Sequence, residues 1–282
     1  MFASQRSSKT PSTWQKLTPK CANSSCTTKG LFQAFANRNN GMSVNGKWYC
    51  GSKCLEQALK GTITEMVTFT GKPVKARTAR LPLGLTLLQR GVLSAEQLKA
   101  ALEQHKSSGA NFGEVVQQLG FATAEQVTAA VAAQWACPVF PVGDRRLELG
   151  IRIPRRFLEL CEMLPVHYAE NERRLLIGFV SGVHHQVLYT IGQMTSCTVA
   201  PCFISAGEYS LHLNSPTTPF LRDDELVFEQ VMDVNEMARI TTNYVAQLSA
   251  EKMRVGKCHD YLWTRIWGRK REMDLLFQMQ SS

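Results

Sequence analysis

No run of about 18 consecutive apolar residues occurs in the 282-residue chain, so no membrane-crossing helix is expected. The opening Met1–Lys20 lacks an apolar centre and is rich in Ser, Thr, Lys and Pro, with Trp14 as the exception. That composition does not suit a secretory signal and reads as a disordered tail. The chain is therefore expected to be cytoplasmic. Acidic residues are scarce at one end: residues 1–80 hold 13 Lys/Arg against only Glu56 and Glu65, a net +11. The remaining 202 residues hold 19 basic against 21 acidic residues, a net −2. A basic module on a near-neutral body suits nucleic acid (through residues 1–75), acidic lipid or an acidic protein surface, the alternative being a solvated basic tail.

A working phosphate loop is also missing. The spacing G-x4-G-K occurs once, from Gly41 through Gly46-Lys47, but Trp48 follows where the motif needs Ser or Thr to hold magnesium. The segment continues as a strand toward Cys50, not as a helix facing phosphate. His259-Asp260 comes with neither a nucleophile nor a glycine-rich loop and is better read as a hairpin turn. The chain is expected not to be an enzyme.

Cysteine is plentiful, with nine in all. Cys21, Cys26, Cys50 and Cys54 form C-x4-C-x23-C-x3-C, two close thiol pairs that suit a closed, tetrahedral structural zinc site. Disulfides are the competing reading, disfavoured in a reducing compartment. The stretch Gly46–Cys54 reads as strand, turn and then helix over Leu55–Leu59 and resembles treble-clef fingers of the FCS/MYM kind. Cys137, Cys161, Cys197 and Cys202 alternate with apolar residues and read as buried thiols. His184-His185 has no third ligand in view.

Residues 80–134 say nearly the same thing twice, 29 residues apart. Leu83-Gly84, Gly91, Ser94-Ala-Glu-Gln97, Leu98 and His105 are matched by Phe112-Gly113, Gly120, Thr123-Ala-Glu-Gln126, Val127 and Gln134. Ser94 and Thr123 open capping boxes, and Leu98, Ala101, Leu102 and Val127, Ala130, Val131 follow at the spacing of one buried helix face. Gly91 and Gly120 stand where a short preceding helix stops. Each copy reads as short helix, glycine turn and capped longer helix.

This double pattern resembles the N-terminal domain of type II secretion and type IV pilus assembly ATPases, called MshEN in its cyclic-di-GMP-binding members. The resemblance covers about residues 80–213 and runs on through Gln134–Val139, Ile153-Pro154, Met163–Val166, Arg173–Phe179 and Val199–Phe203. It implies contacts to cyclic-di-GMP from Arg80, Leu83, Gly84, His105, Phe112, Gly113 and Gln134. Two departures bear on this. The family's arginine position holds Pro82 in the first copy and Asn111 in the second, leaving Arg80 two residues early. The closing glutamine is His105 in the first copy and is kept only as Gln134 in the second. The retained Gly and Leu positions are also what a helix pair needs in order to pack.

The fold class expected is α+β, organised as a tail (1–20), a zinc finger (21–60), a linker (61–79), the repeat-containing domain (80–213), a second linker (214–232) and a helix-plus-meander module (233–282). Within the repeat-containing domain, 80–135 is the helical repeat and 136–213 an α/β part with strands over Arg173–Phe179 and Thr198–Ile204. The last module is read as a helix over Val234–Ala250 and strands over Lys252–Lys257, Tyr261–Trp267 and Met273–Met279. It resembles the start of the same ATPases' second domain, which would place the end of the chain just before a nucleotide-binding core. The function implied is a non-enzymatic adaptor docking on the inner-membrane platform protein of a secretion or pilus system. The alternatives are a cyclic-di-GMP sensor with a degenerate motif and a nucleic-acid-binding finger protein.

Overall fold

The computed structural model describes residues 20–27, 41–68, 80–143, 145, 147, 149–215 and 224–279. The expected disordered tail, apart from Lys20, and much of both expected linkers lie outside them. The architecture is mixed helix and sheet, and no described helix is long and apolar enough to cross a membrane. In chain order, β1 (Met42–Val44), β2 (Lys47–Tyr49) and α1 (Ser52–Thr68) come first. Next are α2 (Leu83–Gln89), α3 (Ala95–Ser108), α4 (Phe112–Gln118), α5 (Ala124–Gln134), α6 (Arg155–Leu160), β3 (Met163–Ala169), β4 (Arg174–Phe179), α7 (His185–Thr195), β5 (Thr198–Phe203) and α8 (Ala206–Leu213). Last are β6 (Glu225–Phe228), α9 (Val234–Gln247), β7 (Lys252–Cys258), β8 (Tyr261–Trp267) and β9 (Glu272–Gln278). These elements form two compact units, one of residues 1–70 with 226–282 and one of residues 71–225.

In the first unit the finger segment and the chain's last fifty residues share one core. Leu55, Leu59 and Ile63 of α1 are buried with Met237, Ala238 and Val245 of α9 and with Met253, Leu262, Ile266, Leu275 and Phe277 of the four-stranded sheet, ordered β6-β9-β8-β7. Three differences from the sequence reading follow. The finger helix does not stop at Leu59 but runs through Thr68, into the stretch read as linker, because Ile63, Met66 and Val67 continue its buried stripe. Strand β6 lies inside the second expected linker. The finger and the final module, read as separate bodies, are one body.

Asn45 is the stitch between them. Its side chain donates to the Met253 carbonyl at 2.8 Å and accepts from the Met253 N–H at 2.9 Å, and its own N–H donates to the Glu251 carbonyl at 3.0 Å. Asn45 (φ 54°) and Gly46 (φ 71°) are both left-handed, as the tight β1–β2 turn requires. The phosphate-loop look-alike is thus a hairpin.

The second unit begins with the two repeats. Ser94 and Thr123 each close a full capping box, with Gln97 and Gln126 bonding back to the cap N–H groups. Gly91 (φ 69°) and Gly120 (φ 70°) turn the chain identically. The Val92 N–H reaches the Leu87 carbonyl in one copy, and the Phe121 N–H reaches the Val116 carbonyl in the other. One expected core position is corrected: Leu102 is 41% exposed, whereas its counterpart Val131 is buried. The neighbours of the two repeats differ, so equivalent positions need not share an environment.

A three-stranded sheet, β3-β4-β5, follows, antiparallel then parallel, with α7 as the crossover. Helix α6 and strand β3 carried no clear sequence signal: α6 is six residues long, and β3 is broken by a bulge between Pro165 and His167. Cys161 and Cys202 are buried, as read, and burial pushes their thiols up to about 11 and about 12. Cys137 and Cys197 are only half-buried, because Cys137 follows α5 in a connecting segment and Cys197 precedes β5.

Candidate functional site

Two constellations stand out, one in each unit. In the first, Cys21 and Cys26 lie on a tight knuckle, Cys50 ends the β1–β2 hairpin, and Cys54 sits in the opening turn of α1. All four sulfurs lie within 4.8 Å of one another, and among the described residues no other such group of metal-binding side chains is found. Cys26 and Cys50 are 3.6 Å apart and Cys50 and Cys54 are 3.4 Å apart. Four sulfurs around a tetrahedral zinc with Zn–S of about 2.3 Å would stand about 3.8 Å from each other. The donor set and spacing therefore fit a metal ion.

The surroundings fix this geometry. The Ala22 N–H donates to the Trp48 carbonyl at 2.8 Å, tying knuckle to hairpin, and the Cys54 N–H donates to the Gly51 carbonyl at 3.1 Å. Asn23 holds the knuckle by accepting from the Ser25 N–H and donating to Gln57 of α1 at 2.7 Å. Burial first, then hydrogen bonding with Cys50, pushes the Cys54 thiol up to about 12. A cation at the centre of the four sulfurs is what would make thiolates tolerable at such close range.

The second constellation is a cleft of about 730 Å³ lined by Arg80, Leu81, Thr86, Gln89, Arg90, Ala133, Gln134, Trp135 and Ala136. Trp135 closes α5 and is seated on Phe203, ring centroids 6.4 Å apart. A Cβ on Gly182 would come within 3.0 Å of the indole. The guanidinium of Arg80 lies over the Trp135 ring, 3.2 Å from its centroid. Gln134 donates from Nε2 to the Leu81 carbonyl. The segment after α5 is held by β5, the Phe203 N–H donating to the Pro138 carbonyl at 2.9 Å.

Of the residues singled out by resemblance, Arg80 and Gln134 line this cleft. The others are used elsewhere. A Cβ on Gly84 would stand 2.6 Å from Leu98 Cδ1 and 3.1 Å from the Phe112 ring, and one on Gly113 would stand 3.1 Å from Val127 Cγ1 and 3.7 Å from Leu83. These glycines and their Leu83 and Phe112 partners thus form the crossing of α2 and α4. His105 Nδ1 is bonded to the Ala110 carbonyl at 2.6 Å. With a 29-residue offset, His105–Ala110 and Gln134–Leu81 are one contact made twice, the end of each repeat closing on the start of the other. The sequence reading did not single out Thr86, Arg90 or Trp135 as lining residues. Trp135 directly after Gln134 was the available signal.

No family model and no curated protein matches the chain. Among solved structures, one described as MshE with cdg is 19% identical with a TM-score of 0.40, covering 48% of this chain and 98% of that one. Two structures of the N-terminal domain of XpsE are 16% and 19% identical, with TM-scores of 0.36 and 0.27. They cover 46% and 44% of this chain, and 90% and 87% of theirs.

Proposed function

We propose that this chain is a non-enzymatic adaptor whose duplicated helical unit docks on the inner-membrane platform protein of a secretion or pilus system, with a structural zinc ion organising its finger. The observation that carries the reading is how the repeat residues are used. The polar ends of His105 and Gln134 turn onto the repeats' own carbonyls, and the spaces beside Gly84 and Gly113 are filled by Leu98, Phe112 and Val127. Such a unit is a self-closed packing scaffold. Leu81, Leu85, Leu102 and Leu119 are left exposed around it, which suits recognition of an apolar helix or groove. A closed, tetrahedral set of four thiolates suits zinc as a structural ion.

The test is sedimentation of the metal-loaded chain with the cytoplasmic domain of the platform protein. A complex that Leu81→Glu/Leu85→Glu disrupts is expected; steady ATP turnover by the purified chain would overturn the non-enzymatic reading.

A second reading, a cyclic-di-GMP sensor, is favoured by the cleft, where Arg90, Gln134 and the planar guanidinium of Arg80, stacked on Trp135, offer charge, hydrogen bonds and a flat surface together. Calorimetry with the dinucleotide decides it. Heat that Arg80→Ala or Gln134→Ala removes supports the sensor, and no heat at high micromolar ligand rejects it.

A further inference from the structure

The net charge of +9 is almost all carried by one unit: residues 1–70 and 226–282 hold 17 Lys/Arg against 9 Asp/Glu, while residues 71–225 hold 15 against 14. Part of that excess is gathered at one corner of the four-stranded sheet. Lys252 and Trp267 are directly paired across β7 and β8, with Arg254 two positions along on the same face. The Lys252 ammonium lies 4.7 Å from the Trp267 ring centroid, and the Arg254 guanidinium 5.8 Å. The next turn supplies Arg269, Lys270 and Arg271, all exposed.

This turn is held in place. The Gly268 N–H donates to the Arg271 carbonyl at 3.0 Å, and the Arg269 N–H reaches the Leu248 carbonyl at the end of α9 at 3.3 Å. A Cβ at Gly268 would lie 2.6 Å from that same Leu248 oxygen. Two acids flank these five cations, Glu251 and Glu272, the latter directly paired with Trp267 across β8 and β9, so the corner keeps an excess of positive charge; the next acid on that face is engaged elsewhere. Asp274 accepts two hydrogen bonds from Arg265 and one from Trp263 Nε1, all at 2.7 Å. Glu251 meets Arg269 at 3.4 Å with both side chains more than 70% exposed, a pair that water and salt readily screen.

We propose that this corner, Lys252, Arg254, Trp267 and the Arg269–Arg271 turn, binds single-stranded nucleic acid. The cations engage phosphates and the indole engages a base. Aromatic faces beside cations are what a strand with alternating phosphates and π-surfaces recognises, and two guanidinium forks in the turn match phosphate geometry better than ammonium groups do. An acidic membrane is the less suitable partner, because the turn carries no apolar side chain to insert beneath the headgroups. The proposal is independent of the docking reading.

The test is fluorescence anisotropy of a labelled, mixed-sequence single-stranded oligonucleotide with the full, zinc-loaded chain across a salt series. Saturable binding is expected, with log affinity falling linearly in log salt. The variant Arg269→Gln/Lys270→Gln/Arg271→Gln is expected to bind at least about tenfold more weakly at low salt and to flatten the slope by about 2. Trp267→Leu is expected to weaken binding about tenfold with the slope unchanged. Lys99→Gln/Lys106→Gln, which removes exposed charge from the other unit, is expected to bind as the parent does. Circular dichroism and zinc content identify any variant that fails to fold. Absent binding, a triple variant that binds like the parent, or attachment to anionic phosphatidylserine vesicles with none to the oligonucleotide would each overturn the proposal.

Discussion

Gly84 and Gly113 occupy the same position of the two repeats yet differ in how closely neighbours approach. An added methyl at Gly84 meets Leu98 at 2.6 Å and the Phe112 ring at 3.1 Å, whereas at Gly113 its nearest contact is Val127 at 3.1 Å. Alanine gains about 1 kcal/mol of helix propensity at either site, but overpacking costs about 1–3 kcal/mol. Gly84→Ala is expected to lower stability by up to about 2 kcal/mol and Gly113→Ala to be near neutral, read from urea midpoints at unchanged m-value. A second residue-level case is Arg265, whose side chain is 5% exposed and paired with Asp274. Asp274→Ala strands that charge and should cost about 3–5 kcal/mol, whereas Arg265→Met/Asp274→Leu should cost much less. Equal losses in the two would contradict the burial argument.

Among the elements, those with local signals were readable. The two capping boxes, the glycine turns and β8 over Tyr261–Trp267 all stand where their own residues place them. The thiol pairs were readable for the same reason. What was not readable depends on distant partners: Asn45 is held by Met253, 208 positions away, and α1 extends to Thr68 because α9 and the sheet cover its later turns. Helix α8 shows a long-range cap of another kind. Burial disfavours the Glu208 carboxylate, but hydrogen bonds from Gly143, Ser205 and Val142 outweigh it and hold its pKa below the ordinary 4.5. A depressed folded pKa contributes stability that is present above the unfolded value and is lost as pH falls through the folded one. The melting temperature should therefore fall on acidification below pH 4.5. Glu208→Gln should lower it at neutral pH and shrink the difference between neutral and acid conditions. An unchanged acid dependence in the variant would show that this carboxylate is not the fastener.

At the scale of the molecule, the finger segment and the terminal sheet are built on one shared core. Stripping the proposed zinc is expected to expose the amides of β7–β9 to exchange along with those of α1, because Leu55, Leu59 and Ile63 would lose the anchor set by Cys50 and Cys54. Retained protection in β7–β9 after chelation would mean that the sheet stands without the finger. The 71–225 unit has its own core and should keep its protection in the same experiment. The reading of that unit as a docking scaffold makes the sharpest demand. Hydrogen exchange of the metal-loaded chain, with and without the cytoplasmic domain of the platform protein, tests it most directly. New protection within residues 80–134 is the predicted result, and a stable complex that leaves those residues exchanging as before would contradict the account.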